Sequence, residues 1–297
     1  MSELYTINRH MYYNELKPLW DELSDVDYAV VKGEVLSMQI YSNPNVRVSN
    51  DLDILISKKH IDLIEKILIG LGFKQSDELN VFQKRENRII CLAYSHQISP
   101  YYKNKYGINL NVDINYDIFW GEYEGKRTSM TSFLSDVDYM DIYGYSVKTL
   151  PLKKAFIQLI LHHYKEMNSF FHLSHYNCIR TELFKDIYYI IYNNSQLLNE
   201  EEIIKLSEVY DIKNIVYYML YYTNIVFNTG FLNSYLHEFK NIDYYILDVY
   251  GLCSKEHKKW KIPFEDRLDN NRLWEQICCE MTNNDIKKIE RLDRIFI

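Results

Sequence analysis

Apolar positions in the first half of this chain come mostly in short runs, and those in the second half recur mostly at helical spacing. From His10 to Leu23 the pattern predicts an amphipathic helix. Tyr28 to Val31 reads as a short strand that Gly33 breaks, and helical spacing resumes over Glu34 to Tyr41. Ser42-Asn-Pro44-Asn predicts a turn. After it, Arg47-Val-Ser49-Asn-Asp51-Leu-Asp53-Ile-Leu-Ile ends in an apolar run expected to be a buried strand. Ile61, Ile64, Leu68 and Leu71 line one face of a helix that stops at Gly72. Phe73 to Arg85 and Arg88 to Tyr94 read as two strands joined by a tight turn at Glu86-Asn87. Ile108 to Ile114 alternates apolar residues with Asn109, Asn111 and Asp113, the signature of a half-buried strand. One or two further short strands are expected around Gly144, within Val137 to Val147.

Beyond Leu150-Pro151 glycine becomes rare and long helical periods take over. Helices are expected over Leu152 to Met167, His175 to Tyr192, Glu200 to Tyr210, Ile212 to Phe227 and Leu273 to Leu292, with Asn271 capping the last. The fold class expected is α+β: a domain of strands and helices over 1–150, then an all-helical domain over 151–297.

Composition narrows the class. A chain of 297 residues, 47% apolar and 25% charged, can bury a full core, like an ordinary soluble protein. The net charge of -7 argues against nucleic-acid binding by bulk electrostatics, though a local basic groove stays open. Five cysteines, odd in number and without a CxxC pair, fit reduced thiols in a cytoplasmic protein. The start of the chain has no signal pattern, and its longest apolar stretch, Ile215 to Phe227, is too short and too interrupted to span a membrane. The 28 tyrosines include Tyr217-Tyr218 and Tyr221-Tyr222, whose spacing favours core and interface over a base-stacking platform.

The candidate chemistry lies in Val30 to Ile56. Asp51 and Asp53 sit two apart on a strand and so project from one face. Paired carboxylates repel and resist desolvation, so such a pair usually has a cation between them. Oxygen donors suit a hard ion, and carboxylates with phosphate oxygens are how proteins hold Mg²⁺. The chemistry suggested is metal-assisted phosphoryl or nucleotidyl transfer. The same Asp-x-Asp pattern also occurs on the solvent face of exposed strands. Lys32-Gly33 upstream and Arg47 four residues before Asp51 tip the balance toward a site. Asp117 competes with Asp113 for a place in it, and Arg47 has structural alternatives in Glu34 or Asp51. His162, His163, His172 and His175 invite a zinc reading, but no cysteine or carboxylate spacing is seen to complete a set. Asp186 is a candidate anchor of the helical domain.

These motifs resemble the polymerase-β-type nucleotidyltransferase superfamily. More narrowly, the chain is similar to a loosely characterised nucleotidyltransferase group with Lys-Gly, a helix, an Arg and then Asp-x-Asp on a strand. The matching residues are Lys32, Gly33, Leu36, Tyr41, Pro44, Arg47, Asp51, Asp53 and Leu55, followed by Val112-Asp113-Ile114 and Ile157-x-Leu159-x-x-x-His163. The resemblance implies a nucleotidyltransferase-type mixed sheet flanked by helices. It implies Asp51, Asp53 and Asp113 as metal ligands for two Mg²⁺ ions, with Mn²⁺ as a substitute, and Asp113 as a candidate general base. Lys32, Gly33, Arg47 and Ser49 would bind nucleotide and phosphate, and His163 and Lys165 would line the acceptor cleft or cap the core. An NMP would pass from an NTP, ATP foremost, to a hydroxyl acceptor with release of pyrophosphate. Glu34 replaces the Ser or Gly usual after Gly33, and the gap from Gly33 to Asp51 is long. An inactive nucleotide- or partner-binding protein on the same fold, or a toxin acting by nucleotide transfer, are the alternatives.

Overall fold

The computed structural model describes residues 3–47, 49–75, 79–105, 107–120, 125–175 and 179–296. They form two compact units, one running to Ala155 with Phe296 added, the other from Phe156 to Ile295.

In the first unit the strands are β1 (Tyr28–Val31), β2 (Asp51–Ile56), β3 (Tyr101–Lys105), β4 (Ile108–Asn115), β5 (Asp138–Ile142) and β6 (Tyr145–Thr149). They make one mixed sheet in the order β3-β4-β2-β1-β6-β5. β1 runs antiparallel to β2 and parallel to β6, while β2 and β4 run parallel. All four residues of β1 are buried, as its central place requires. The β5–β6 hairpin turns through Tyr143 and Gly144, both at positive φ, the geometry that two-residue hairpins favour.

The helices of this unit are α1 (Glu3–Glu15), α2 (Lys17–Glu22), α3 (Gly33–Tyr41), α4 (Ile61–Gly70), α5 (Val81–Tyr94) and the short α6 (Met130–Phe133). The single helix expected over His10 to Leu23 is two, because Pro18 restarts the chain at the head of α2. α4 closes with Phe73 N–H on the Leu68 carbonyl and Gly72 at φ +84°.

The strand pair expected between Phe73 and Tyr94 is instead the helix α5; residues 76–78 lie outside the described set. Asn80 and Gln83 form a reciprocal capping box that starts it, each side chain accepting the other's backbone N–H at 3.0 and 2.9 Å. Val81, Phe82 and Ile89, whose β-favouring side chains suggested a strand, are solvent-exposed. Asn87 and Cys91, four apart, face inward.

The second unit is helical: α7 (Leu152–Asn168), α8 (Phe170–His175), α9 (Thr181–Asn193), α10 (Glu200–Val209), α11 (Lys213–Phe227), α12 (Asn233–Glu238), α13 (Phe264–Arg267), α14 (Leu273–Ile277) and α15 (Asn283–Phe296). It also holds a two-residue ladder, β7 (Val249–Tyr250) against β8 (Lys258–Lys259), so it is not purely helical. The helix expected over Leu273 to Leu292 breaks in two. Thr282 opens the second piece: its N–H and hydroxyl reach Asp285 Oδ2 at 2.8 Å, and its Oγ1 accepts from Asp285 N. The Asn271 cap is absent, since Arg272 N–H is met by Asn270. Tyr217, Tyr218 and Tyr222 are buried on α11, and Tyr222 stacks on Phe264 at 4.2 Å. Three of the four paired tyrosines are core, and Tyr221 is half-buried.

Candidate active site

The parallel register of β2 and β4 sets Asp53 opposite Asp113 and Asp51 opposite Asn111. Partners in a parallel ladder share a face, and Asp51 lies two residues from Asp53, so three carboxylates stand on one face of the sheet. Asp53 is 3% exposed, while Asp51 and Asp113 are half-buried.

A basic side chain meets them. Lys32 Nζ bonds Asp53 Oδ1 at 2.7 Å, and Asn115 Nδ2 donates to the same oxygen at 3.1 Å. Lys32 sits at φ +58°, ψ −149°, between the end of β1 and the start of α3. A non-glycine residue there costs about 1–3 kcal/mol and persists only when its surroundings hold it. Here the Lys32 side chain is paired with Asp53 and its carbonyl accepts from Leu36 N–H at 2.9 Å. Gly33 follows at φ +43° and opens α3; a Cβ there would stand 3.4 Å from Ser49 Oγ. Ser49 Oγ in turn donates to Asp51, whose Oδ1 is 2.9 Å away.

Electrostatics follow from burial. Desolvation pushes the Asp53 carboxyl up and the Asp51 charge adds to it, against Lys32 and Asn115. Burial opposes the Lys32 ammonium, yet the fields of Asp53, Asp51 and Asp113 raise it. Both partners shift toward holding a proton, as in a site with more negative than positive charge.

Residues outside the predicted site set also build this corner. Glu34, on the first turn of α3, is buried in a two-pronged pair with Arg9 of α1, and Tyr13 donates to it at 3.3 Å. Arg9 Nη2 also reaches the Asp51 carbonyl at 3.2 Å, and Tyr12 donates to the Asn111 carbonyl. Glu34 is thus paired with Arg9, and Arg47 N–H is held by Ser37 Oγ at 3.1 Å. Nothing local signals a bond between residues 25 apart. Asn115 could have been found, since it continues the alternation of Asn111 and Asp113. Asp117 takes a structural place instead, accepting from Phe119 N at 3.0 Å and from Thr128 N.

The chain matches the family model described as uncharacterised nucleotidyltransferase over residues 2–228. It belongs to that nucleotidyltransferase family. No curated protein matches it. It is also similar to the crystal structure of an antigenic nucleotidyltransferase-like protein from Paracoccidioides brasiliensis, at 15% identity and TM-score 0.42, covering 80% of this chain and 94% of that one.

In this member of the family the donor set of Asp51, Asp53 and Asp113 is all carboxylate oxygen, and an ammonium already lies in the field of all three. The chemistry fits a hard divalent ion. Among the described residues the three aspartates are not gathered within 4.8 Å of one another, because Asp53 is turned to Lys32 and Asn115 and Asp51 to Ser49. A cation would displace Lys32 from Asp53. His163 and Lys165 lie on α7 at 0% and 6% exposure, and His163 is packed against Asp186 of α9 within the second unit. No described helix is long and apolar enough to cross a membrane.

Proposed function

We propose that this protein moves a nucleoside monophosphate from an NTP, ATP foremost, to a hydroxyl acceptor and releases pyrophosphate. The observation that carries the reading is the registered Asp53–Asp113 pair, with Asp51 on the same face and Lys32-Gly33 beside it. Asp51, Asp53 and Asp113 would hold two Mg²⁺ ions, or Mn²⁺ in their place. Bound there, such ions supply charge stabilisation at the phosphate oxygens.

The residues of the chain do the rest. The opening turn of α3 offers backbone N–H groups to phosphate, and the bare Cα of Gly33 lets phosphate approach. Lys32, released from Asp53, and Arg47 offset the triphosphate charge. Ser49, which donates to Asp51 Oδ1, would orient that carboxylate or a phosphate. The acceptor oxygen bonds to the α-phosphorus as the bond to the bridging oxygen breaks and pyrophosphate leaves with the electron pair. Asp113 takes the acceptor's proton.

The acceptor class is a small molecule, a peptide or protein, or RNA, and a growth-inhibiting toxin is one form of the same chemistry. The net charge of -7 favours the first two. The free, buried Cys91 thiol accords with a reducing cytoplasm.

The Lys32–Asp53 bond favours a second reading, a nucleotide-binding protein without turnover, because it neutralises a would-be ligand. Incubation with each α-labelled NTP and a lysate, with pyrophosphate release followed in parallel, separates the two. Label transfer and release that vanish in Asp53→Asn support the enzyme. Binding without release, equal in Asp53→Asn, supports the alternative.

A further inference from the structure

The second unit contains a cluster of different chemistry. His162, His163 and Glu166 project from the last turns of α7, and their donor atoms all lie within 4.8 Å of one another. His162 Nε2 is 3.5 Å from Glu166 Oε1, and His163 Nδ1 is 3.3 Å from Glu166 Oε2. Behind His163, its Nε2 stands 3.4 Å from Asp186 Oδ2 on α9. Glu166 supplies the carboxylate of the set: it is i+4 from His162 and i+3 from His163.

These distances are long for charge-assisted hydrogen bonds, which run about 2.7–2.9 Å. Each histidine stands off its own oxygen of Glu166 at close to the donor–donor edge of a zinc tetrahedron, about 3.3–3.4 Å, and the three donors lie within 4.8 Å, so a small shift would close them on one ion. His163 is fully buried, and its Nε2 makes no hydrogen bond. Binding a metal through Nδ1 would place the proton on Nε2, facing Asp186, and a histidine ligand backed by a carboxylate is the usual arrangement. The side chains of His162 and Glu166 keep 14% and 19% exposure, which leaves a route for an ion from solvent.

We propose that His162 Nε2, His163 Nδ1 and a Glu166 oxygen form a Zn²⁺ site, with Asp186 orienting His163 and a fourth position left open. Nitrogen and mixed donors on a helix suit zinc rather than magnesium, so the site is chemically distinct from the aspartates of the first unit. Bound metal ties α7 to α9 through the His163–Asp186 link.

The test uses the full chain without an affinity tag, stripped by a chelator and titrated with Zn²⁺ against a chromophoric competitor. Co²⁺ substitution then reports the geometry. The expected result is one equivalent of Zn²⁺ per chain and the intense visible band of tetrahedral Co²⁺. Glu166→Gln and His162→Gln should weaken binding by more than about 100-fold, and Asp186→Asn by about 10–100-fold. Asp53→Asn should leave zinc binding unchanged. His162 is partly exposed, so its variant keeps the fold even if a His163 substitution does not; circular dichroism checks this. Absence of uptake by the folded chain, or uptake that survives Glu166→Gln, overturns the proposal. Neither result bears on nucleotidyl transfer, which is read separately.

Discussion

The two units each concentrate charge in their interior, but they balance it in opposite ways. In the first, three carboxylates borne by two neighbouring strands face the Lys32 ammonium, and both Lys32 and Asp53 are driven toward holding a proton. In the second, two carboxylates meet imidazoles on α7 at 3.3–3.5 Å, three of the groups lying within one turn of a single helix. The difference teaches what each geometry suits. A cluster with excess negative charge, assembled by strand register, calls for cations that arrive with a substrate and leave with it. A cluster of nitrogen and oxygen donors fixed by helical spacing suits a resident ion.

The sharpest way to break the comparison is at Asp51. Asp51→Asn is expected to lower label transfer by at least about 10²–10³-fold, the scale on which one preorganised charge-stabilising group acts. Its thermal midpoint should hold or rise, because a repelling carboxylate is gone. Asp53→Asn should lower transfer equally yet destabilise the fold, since it strands the buried Lys32. A thermal scan of both variants separates these cases.

Next in size is Glu34→Ala. It leaves Arg9, 5% exposed, without its partner, and is expected to cost about 3–5 kcal/mol in urea unfolding. Gly33→Ala comes below it, at about 1–2 kcal/mol, because alanine resists φ +43°. Its Cβ would also press on Ser49 Oγ, the hydroxyl that holds Asp51.

The smallest effect is a labelling rate. Burial pushes the Cys91 thiol up to about 11, so at pH 8 it is protonated as well as shielded. Thiol reagents should modify the exposed Cys278 and Cys279 quickly and Cys91 only when the first unit opens. Glu34→Ala should speed labelling at Cys91 and leave Cys278 unchanged; equal acceleration at both would show that the units do not open separately.

Much of the first site was legible in the sequence because its signals are local. The period of two put Asp51 and Asp53 on one face, and Lys32-Gly33 marked where a strand passes into a helix. The neighbouring Asp113 strand was found by alternation, but its register against Asp53 is a fact of pairing across some 60 residues. Arg9–Glu34 was hidden for the same reason. The error at α5 has another cause: Val81, Phe82 and Ile89 carry strand-favouring side chains that point to solvent, while the deciding signal was the Asn80–Gln83 capping box. Glu166 is local too, i+4 from His162 and i+3 from His163, though neither spacing is a familiar metal signature. A carboxylate one turn on reaches both.

The central claim is that the aspartate face of the first unit binds nucleotide through a divalent cation. Calorimetric titration with an ATP analogue bearing a methylene between the α- and β-phosphorus tests it most directly, with and without Mg²⁺. The account predicts binding that requires Mg²⁺ and disappears in Asp51→Asn. Equal affinity without any divalent ion, or in the variant, would contradict it.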